Sequence, residues 1–126
     1  MTVVLDASAV LAVIFAEPGA ELVLARLEEA AISAANHAEV VSKLVQRGMT
    51  SGEVALSLVG AMPRTEPLSA AQASAAGLLR RMTRAQGLSL GDCCCLALAL
   101  ERGARVMTAD RAWAGLDLGV EIEVIR

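Results

Sequence analysis

The sequence contains few of the side chains that enzymes most often use for acid–base chemistry or for stacking on bases. Its 126 residues include one tryptophan, one phenylalanine and no tyrosine, so an apolar core must be built from alanine, leucine and valine. His37 is the one histidine, which excludes a ribonuclease that uses two histidines as general acid and general base. No glycine-rich phosphate loop is present, which argues against a nucleoside triphosphatase.

The sequence also lacks a long apolar segment. A membrane span needs roughly 18 consecutive apolar residues, whereas the run at 7–16 lies between Asp6 and Glu17, and the run after Leu88 is interrupted by Asp92. No basic stretch precedes the first apolar residues, so we do not expect a secretory signal. We therefore expect a protein that makes no contact with a membrane.

The three cysteines are consecutive, at positions 93–95. Side chains of adjacent helical residues diverge by about 100°, so these three thiols cannot bind one metal ion together. We expect them to be small core side chains. Free thiols are typical of a reducing compartment, which predicts a cytoplasmic protein.

Charge and hydrophobicity limit the partners of the chain. The formal net charge of −3 is unfavourable for simple electrostatic binding of nucleic acid, although it is compatible with a nuclease whose acidic groups are covered by bound cations. Hydrophobic residues make up 56% of the chain, which is more than a domain of this size can bury. We therefore expect an apolar interface with a second copy or with another chain.

Short apolar strands alternate with helices along the chain. We predict strands over 2–5, 31–33, 65–68, 105–108 and 121–125. We predict helices over 8–15, 20–30, 36–47, 51–62, 69–85 and 90–102, with Ser8, Asn36, Ser51, Ser69 and Ser89 as caps. This alternation predicts an α/β fold with a mostly parallel sheet, in a single domain over residues 1–126.

Four acidic residues follow predicted strands or lie in the first turns of predicted helices. Asp6 and Asp110 follow the first and fourth strands, and Glu39 and Asp92 lie in first turns. In an open parallel sheet these positions share one edge. Carboxylates that converge there repel one another unless a cation neutralises them, and Mg²⁺ prefers carboxylate oxygens. Each acid taken singly also fits a turn or a helix start, so the hypothesis of a cation site depends on the whole set.

The acids lie in four motifs that resemble those of PIN domains of the VapC-toxin type. Val4-Leu5-Asp6-Ala7-Ser8-Ala9 resembles the opening strand followed by Asp-x-Ser, and Asn36-His37-Ala38-Glu39-Val40 resembles the second motif. Residues 87–92 with 95–99 resemble the third motif, and residues 108–113 resemble the fourth. The four motifs occur in order over nearly the whole chain.

The resemblance implies a single PIN-like α/β domain with a mostly parallel sheet of about five strands and helices on both faces. It implies a Mg²⁺- or Mn²⁺-dependent endoribonuclease, the toxin of a bacterial toxin–antitoxin pair. Asp6, Glu39, Asp92 and Asp110 would be catalytic, with Asp6 and Asp92 as metal ligands. The implied partners are an RNA substrate, a cognate antitoxin and a second copy of the chain.

The resemblance also assigns supporting roles and shows departures from the family pattern. Ser8 and Thr108 would support the acids through hydroxyl hydrogen bonds, although Ser8 fits a helix cap equally well. Many PIN domains carry a further Asp where this chain has Ala112, and Asp117 is the acid nearby that could compensate. Cys93 follows the third acid at a position where relatives often have Arg.

Other functions remain open. One is a PIN-fold nuclease outside a toxin–antitoxin system, including one that cuts DNA. A receiver-like acidic Mg²⁺-binding signalling domain would need an acidic pair after the first strand and a lysine after a late strand, whereas Asp6 stands alone and Lys43 lies in another helix. A phosphotransferase of the haloacid-dehalogenase type would have Asp in place of Ser8. A non-enzymatic interaction module would have lost acids that are all present here.

Overall fold

A computed structural model describes residues 2–126 as five parallel strands and six α-helices. The strands form one sheet in the order β3-β2-β1-β4-β5, and each neighbouring pair is parallel. They are β1 (Val3–Leu5), β2 (Ala30–Ser33), β3 (Arg64–Glu66), β4 (Arg105–Thr108) and β5 (Ile122–Val124). The predicted α/β class and the five-stranded sheet are confirmed.

The helices connect the strands and cover both faces of the sheet. They are α1 (Ala7–Ile14), α2 (Ala20–Leu24), α3 (Ala34–Gln46), α4 (Ser51–Leu58), α5 (Ala70–Thr83) and α6 (Leu90–Arg102). Three short 3₁₀ segments lie at Leu27–Glu29, Arg84–Gln86 and Arg111–Gly115. None of the helices in residues 2–126 combines the length and the apolar character needed to cross a membrane.

The central strand β1 shows why helices cover both faces. Val3, Val4 and Leu5 are all fully buried, as expected for a parallel strand with a core on each side. Val3 and Leu5 pack with α1 and α3, whereas Val4 packs with α6 and Trp113. The run of three apolar residues therefore reflects a core on both sides of the strand. Asp6 follows directly after the run, at the edge of the sheet formed by the carboxyl ends of the strands.

Three predicted helix caps are wrong, each by one to three residues. Asp6, not Ser8, caps α1 by accepting the Ala9 N–H. Ser33, not Asn36, caps α3, and Thr50, not Ser51, caps α4. In each case several oxygen-bearing side chains are close in sequence, and the residue at the end of the extended segment takes the cap because its backbone is still in the β region.

Two predicted helices are also too long. The helix predicted over 20–30 stops at Leu24, because the chain must turn through Leu27–Glu29 and start β2 at Ala30, opposite Val3. The helix predicted over 51–62 ends at Leu58, where Val59 becomes extended. By contrast, α6 has the predicted limits, with Ser89 as its cap and Gly103 at its end.

Candidate functional site

Asp6 lies at the carboxyl end of β1 and is almost fully buried, with 3% of its surface exposed. Both oxygens of its carboxylate accept hydrogen bonds. Oδ1 accepts from the Ser8 hydroxyl at 2.7 Å and from the Ala9 N–H at 3.0 Å, and Oδ2 accepts from the Thr108 hydroxyl at 2.7 Å. The carboxylate therefore has a fixed orientation.

Burial raises the pKa of Asp6 from 3.8 to about 6, since an ionised carboxylate is poorly solvated there. The three hydrogen bonds lower the pKa but do not offset the burial, and the negative charge of Asp92 raises it further. The ionised form of Asp6 is thus less stable in the folded protein than in water.

Ser8 and Thr108 connect the ends of β1 and β4. The Ser8 hydroxyl oxygen accepts the N–H of Ala109 at 2.9 Å, and the Thr108 hydroxyl oxygen accepts the N–H of Asp110 at 3.0 Å. Each hydroxyl also donates to Asp6. Both hydroxyls therefore contact the Asp6 carboxylate, and Ser8 orients Asp6 instead of capping α1.

Glu39 reaches the same edge of the sheet from α3 and lies against the start of α6. The buried side-chain amide of Asn36 donates to Glu39 Oε1 at 3.0 Å and to the carbonyl oxygen of Gly91 at 2.9 Å. A Cβ atom on Gly91 would lie only 1.8 Å from Glu39 Oε1. Burial and then the charge of Asp92 raise the pKa of Glu39, against the hydrogen bond from Asn36 and the charge of Lys43.

Asp92 is the third residue of α6 and forms a capping box with Ser89. Its Oδ2 accepts the Ser89 N–H at 2.9 Å, and its own N–H donates to the Ser89 hydroxyl oxygen at 3.1 Å. The other carboxylate oxygen is not used in this cap. Because the charge of Asp92 raises the pKa of both Asp6 and Glu39, the three acids lie close enough to interact.

Cys95 lies beneath the three acids. It is fully buried in α6. Burial, and then the charges of Asp6, Asp92 and Glu39, raise the pKa of its thiol. The thiol therefore stays protonated and serves as apolar packing, as predicted for this run of cysteines.

Asp110 is placed differently from the other three acids. Its side chain is exposed, and Oδ1 accepts the N–H of Ala112 at 2.9 Å, which caps the 3₁₀ segment Arg111–Gly115. Its backbone N–H is held by Thr108. The structure therefore brings Asp6, Glu39 and Asp92 together, whereas the Asp110 carboxylate lies outside this group and is hydrogen-bonded to the N–H of Ala112.

The donor chemistry of this edge fits a hard divalent cation. Carboxylate and hydroxyl oxygens gather there, although no group of three or more His, Cys, Asp or Glu side chains within residues 2–126 is arranged to hold one ion. Mg²⁺ is commonly bound by one or two carboxylates and keeps several waters, so two acids are enough. Asp6 and Asp92 could supply such a pair, and a cation would offset the unfavourable burial of the Asp6 charge and its repulsion from Asp92.

Sequence reasoning missed two residues of this edge. The sequence predicts Asn36 as a helix cap and predicts no contact for Gly91, yet together they fix the position of Glu39. A signal for Asn36 was present, since an amide three residues before a helical acid lies on the same face as that acid. No comparable signal exists for Gly91, because it contacts Glu39 only through the tertiary fold.

Comparisons with known proteins agree with this architecture. The PIN domain family model matches residues 3–117. No curated protein sequence matches the chain.

Several solved structures are similar to the chain. VapBC2 from Rickettsia felis, bound to a DNA fragment from its promoter, is 19% identical with a TM-score of 0.73 over 98% of both chains. A toxin–antitoxin complex from Klebsiella pneumoniae is 20% identical with a TM-score of 0.70 over 96% of this chain and 100% of the other. VapC20 from Mycobacterium tuberculosis, a sarcin-ricin loop cleaving toxin, is 18% identical with a TM-score of 0.71 over 95% of this chain and 99% of the other. At these identities the likeness concerns the fold.

Proposed function

The chain belongs to the PIN domain family, and from this premise we propose that it is a Mg²⁺- or Mn²⁺-dependent endoribonuclease and the toxin of a toxin–antitoxin pair. The observation that supports this most is the buried Asp6 carboxylate, which is oriented by two hydroxyls and lies close to Asp92. A buried charge without a cationic partner is costly. Such a carboxylate at the ligand-binding edge of a parallel sheet is well suited to binding a cation.

Asp6 and Asp92 would hold the ion, and Ser8 and Thr108 would keep Asp6 in a single orientation. When bound, a divalent cation stabilises the charge that develops on a phosphodiester and makes a bound water more acidic. Glu39 Oε1 is held by Asn36, so Oε2 is the atom that would accept a proton from the attacking water. Because its pKa is raised, the ionised Glu39 carboxylate is a stronger proton acceptor than an ordinary glutamate.

Asp110 keeps its proposed catalytic role only if its carboxylate leaves Ala112. Its backbone is already attached to the site through Thr108. Rotation about its side-chain bonds would be required for Asp110 to join Asp6 and Asp92 in holding the ion.

The experiment is incubation of purified protein with structured RNAs in the presence of Mg²⁺, Mn²⁺ or EDTA. We expect cleavage that requires the metal and is lost in Asp6→Asn and Asp92→Asn, because loss of a ligand removes both metal binding and water activation. The matched control is Glu28→Gln, which removes one carboxylate charge from an exposed residue that precedes β2, at the opposite edge of the sheet. Wild-type rates in both aspartate variants would refute the site, and cleavage of DNA alone would refute the ribonuclease.

Two kinds of protein partner belong to the proposal, a second copy of the chain and an antitoxin. Large apolar side chains remain exposed in residues 2–126, on α2, α3, α4, α5 and α6 among other places. They are Leu22, Leu24, Val45, Leu56, Val59, Leu68, Leu78, Met82, Leu90 and Leu100. Three of them, Leu78, Met82 and Leu100, border one groove between α5 and α6. A contiguous apolar groove of this kind is typical of protein interfaces.

The homodimer is tested by sedimentation velocity of the purified chain. We expect a dimer, and a pure monomer at roughly tens of micromolar would refute it. The antitoxin is tested by co-purification with the product of a neighbouring short reading frame. Cleavage of RNA by the free chain should be blocked in that complex, and undiminished cleavage would contradict the toxin–antitoxin proposal.

A further inference from the structure

A cleft of about 470 Å³ opens beside the acidic edge, between α1 and α3. Leu11 and Phe15 of α1 supply its apolar wall. Ser8 lies at one end of the cleft, and its hydroxyl donates to Asp6. The cleft is therefore continuous with the site that holds the acids.

The other side of the cleft carries positive charge. Lys43 lies in the last turn of α3 and Arg47 is the residue that caps its end, and Arg126 lines the same cleft beside Glu17, with which it forms an ion pair at 3.1 Å. In residues 2–126 neither Lys43 nor Arg47 has a carboxylate within ion-pair distance. Of the nine other arginines that the structure describes, five are paired in this way, namely Arg26, Arg64, Arg102, Arg105 and Arg126. Within the described part of the chain, Arg80, Arg81, Arg84 and Arg111 are also without such a pair, but they do not line this cleft.

The two free cations lie in a row with Glu39. Lys43 follows Glu39 by four residues and Arg47 follows Lys43 by four, so the three lie along one face of α3, about 6 Å apart along its axis. The positive charge of Lys43 lowers the pKa of the Glu39 carboxyl. The guanidinium of Arg47 lies over the Phe15 ring, 4.3 Å from its centroid, which limits its rotation and favours planar recognition of an anion.

We propose that Lys43, Arg47 and Arg126 bind phosphate groups of the RNA strand next to the phosphodiester that is held at the acids. This inference rests on the proposed function, since it assigns the cleft to the same substrate. Lysine and arginine contacts to phosphate position a strand without reading its sequence, and the arginine fork matches phosphate oxygens in a bidentate manner. A chain with a net charge of −3 needs such a local group of cations to hold a polyanion beside three carboxylates.

A purely structural role for these cations makes a different prediction. Lys43 and Arg47 lie at the end of α3, where positive charge interacts favourably with the helix dipole. Under that role, removing them would lower the stability of α3 and leave RNA binding unchanged. The two roles are therefore separated by measuring binding and unfolding on the same variants.

The test compares two double variants that each remove two positive charges. Lys43→Gln/Arg47→Gln empties the cleft of its unpaired cations. Arg26→Gln/Arg64→Gln is the matched control, because these residues lie near the starts of β2 and β3, at the opposite edge of the sheet. Binding of a short fluorescein-labelled RNA is followed by anisotropy in EDTA, so that no strand is cut, over a series of salt concentrations. Thermal unfolding is recorded for all proteins.

We expect the cleft variant to raise the Kd for RNA roughly tenfold. The slope of log Kd against log salt should fall by about 1.4, since each phosphate contact to a single strand contributes about 0.7. In cleavage assays with Mg²⁺, the main effect should be a rise in KM, which is the pattern for a lost binding contact. Any change in kcat should be smaller, and it would come from loss of the Lys43 charge that acts on Glu39. The control variant should resemble the wild type in all three measurements.

Each alternative result has a defined meaning. Unchanged Kd, slope and KM in the cleft variant would overturn the inference, while wild-type cleavage of RNA would leave the proposed function standing. If the wild type binds RNA through the cleft but cuts no RNA with any divalent metal, the nuclease proposal fails and the phosphate contacts stand. Equal losses in the cleft variant and the control would show a general effect of net charge and overturn the inference.

Discussion

The buried carboxylate of Asp6 predicts an unusual dependence of stability on pH in the metal-free protein. Most native carboxylates have lowered pKa values, and they stabilise the fold at neutral pH. Asp6 is the opposite case, because burial raises its pKa from 3.8 to about 6. We expect Asp6→Asn to be more stable than the wild type at neutral pH when no metal is present. Asparagine caps helices about as well as aspartate does, so α1 should be preserved.

The size and the direction of the effect follow from this pKa. A shift of about 2 units corresponds to about 3 kcal/mol, since one unit is about 1.4 kcal/mol. Between the two pKa values the folded protein binds more protons at Asp6 than the unfolded chain does. The stabilising contribution of protonated Asp6 is therefore complete below pH 3.8 and is lost as pH rises through about 6. Above that pH the penalty remains.

The assay is urea unfolding in EDTA at several pH values from about 4 to about 7.5, for wild type, Asp6→Asn and Glu28→Gln. The difference in unfolding free energy between Asp6→Asn and wild type should increase with pH by about 2 to 3 kcal/mol over this range. Glu28 is exposed, so its variant should differ from wild type by a small and nearly constant amount. A difference for Asp6→Asn that is also constant with pH would refute the reasoning, because the carboxylate would then be solvated or already neutralised.

The remaining predictions concern the metal and two glycines. In differential scanning fluorimetry, saturating Mg²⁺ should raise the Tm of the wild type by mass action and leave the Tm of Asp92→Asn unchanged. Equal Tm shifts in the two proteins would contradict a shared cation site. Gly91→Ala should displace the Glu39 carboxylate, because the added Cβ would lie 1.8 Å from Oε1. We expect RNA cleavage to slow by about tenfold to a hundredfold while the Tm stays near that of the wild type. A wild-type rate would show that Glu39 needs no fixed position. Gly19→Ala should lower the free energy of unfolding in urea by about 2 kcal/mol or more. Gly19 has φ +93°, and a Cβ added there would lie 2.6 Å from the carbonyl oxygen of Ile125. A loss of only about 0.5 kcal/mol, typical of surface changes, would contradict this packing.

Elements with strong local signals could be predicted from the sequence. The limits of α6 follow from Ser89, whose hydroxyl accepts the Asp92 N–H, and from Gly103, which has φ +61° and ends the helix in the left-handed region. The strand β4 was predicted over the residues that form it. In these elements the cap, the apolar run and the stop agree, so tertiary contacts do not need to correct them.

Elements whose limits depend on strand pairing with distant residues were predicted less accurately. Nothing local ends α2 at Leu24, because the sequence beyond it still has helical spacing. The chain leaves the helix since Ala30 must pair with Val3 in the sheet. Asp6 and Ser8 present a similar ambiguity. Ser8 is the predicted cap of α1, whereas Asp6 caps the helix, and the hydroxyls of Ser8 and of the distant Thr108 both donate to the Asp6 carboxylate.

The acidic site divides in the same way. The positions of Asp6, Glu39 and Asp92 could be predicted because strand ends and helix starts meet at one edge of a parallel sheet. The bridge from Asn36 to Gly91 could not, since it joins residues 55 positions apart and one partner is a backbone carbonyl. The capping role of the Asp110 carboxylate at Ala112 was also not visible, because aspartate after a strand fits a site and a turn equally well.

The energetics of Asp6 connect the fold to the proposed chemistry. Three hydrogen bonds favour its ionised form, yet burial still keeps its pKa near 6, so near neutral pH the metal-free protein holds a charged group at a cost of about 3 kcal/mol. The hydrogen bonds from Ser8 and Thr108 do not remove that cost, but they leave a single orientation for the carboxylate. A ligand that neutralises the charge recovers this free energy on binding, and needs no rearrangement of the strand ends to do so. The burial that makes the charged Asp6 unfavourable in the metal-free protein therefore also favours the binding of a cation.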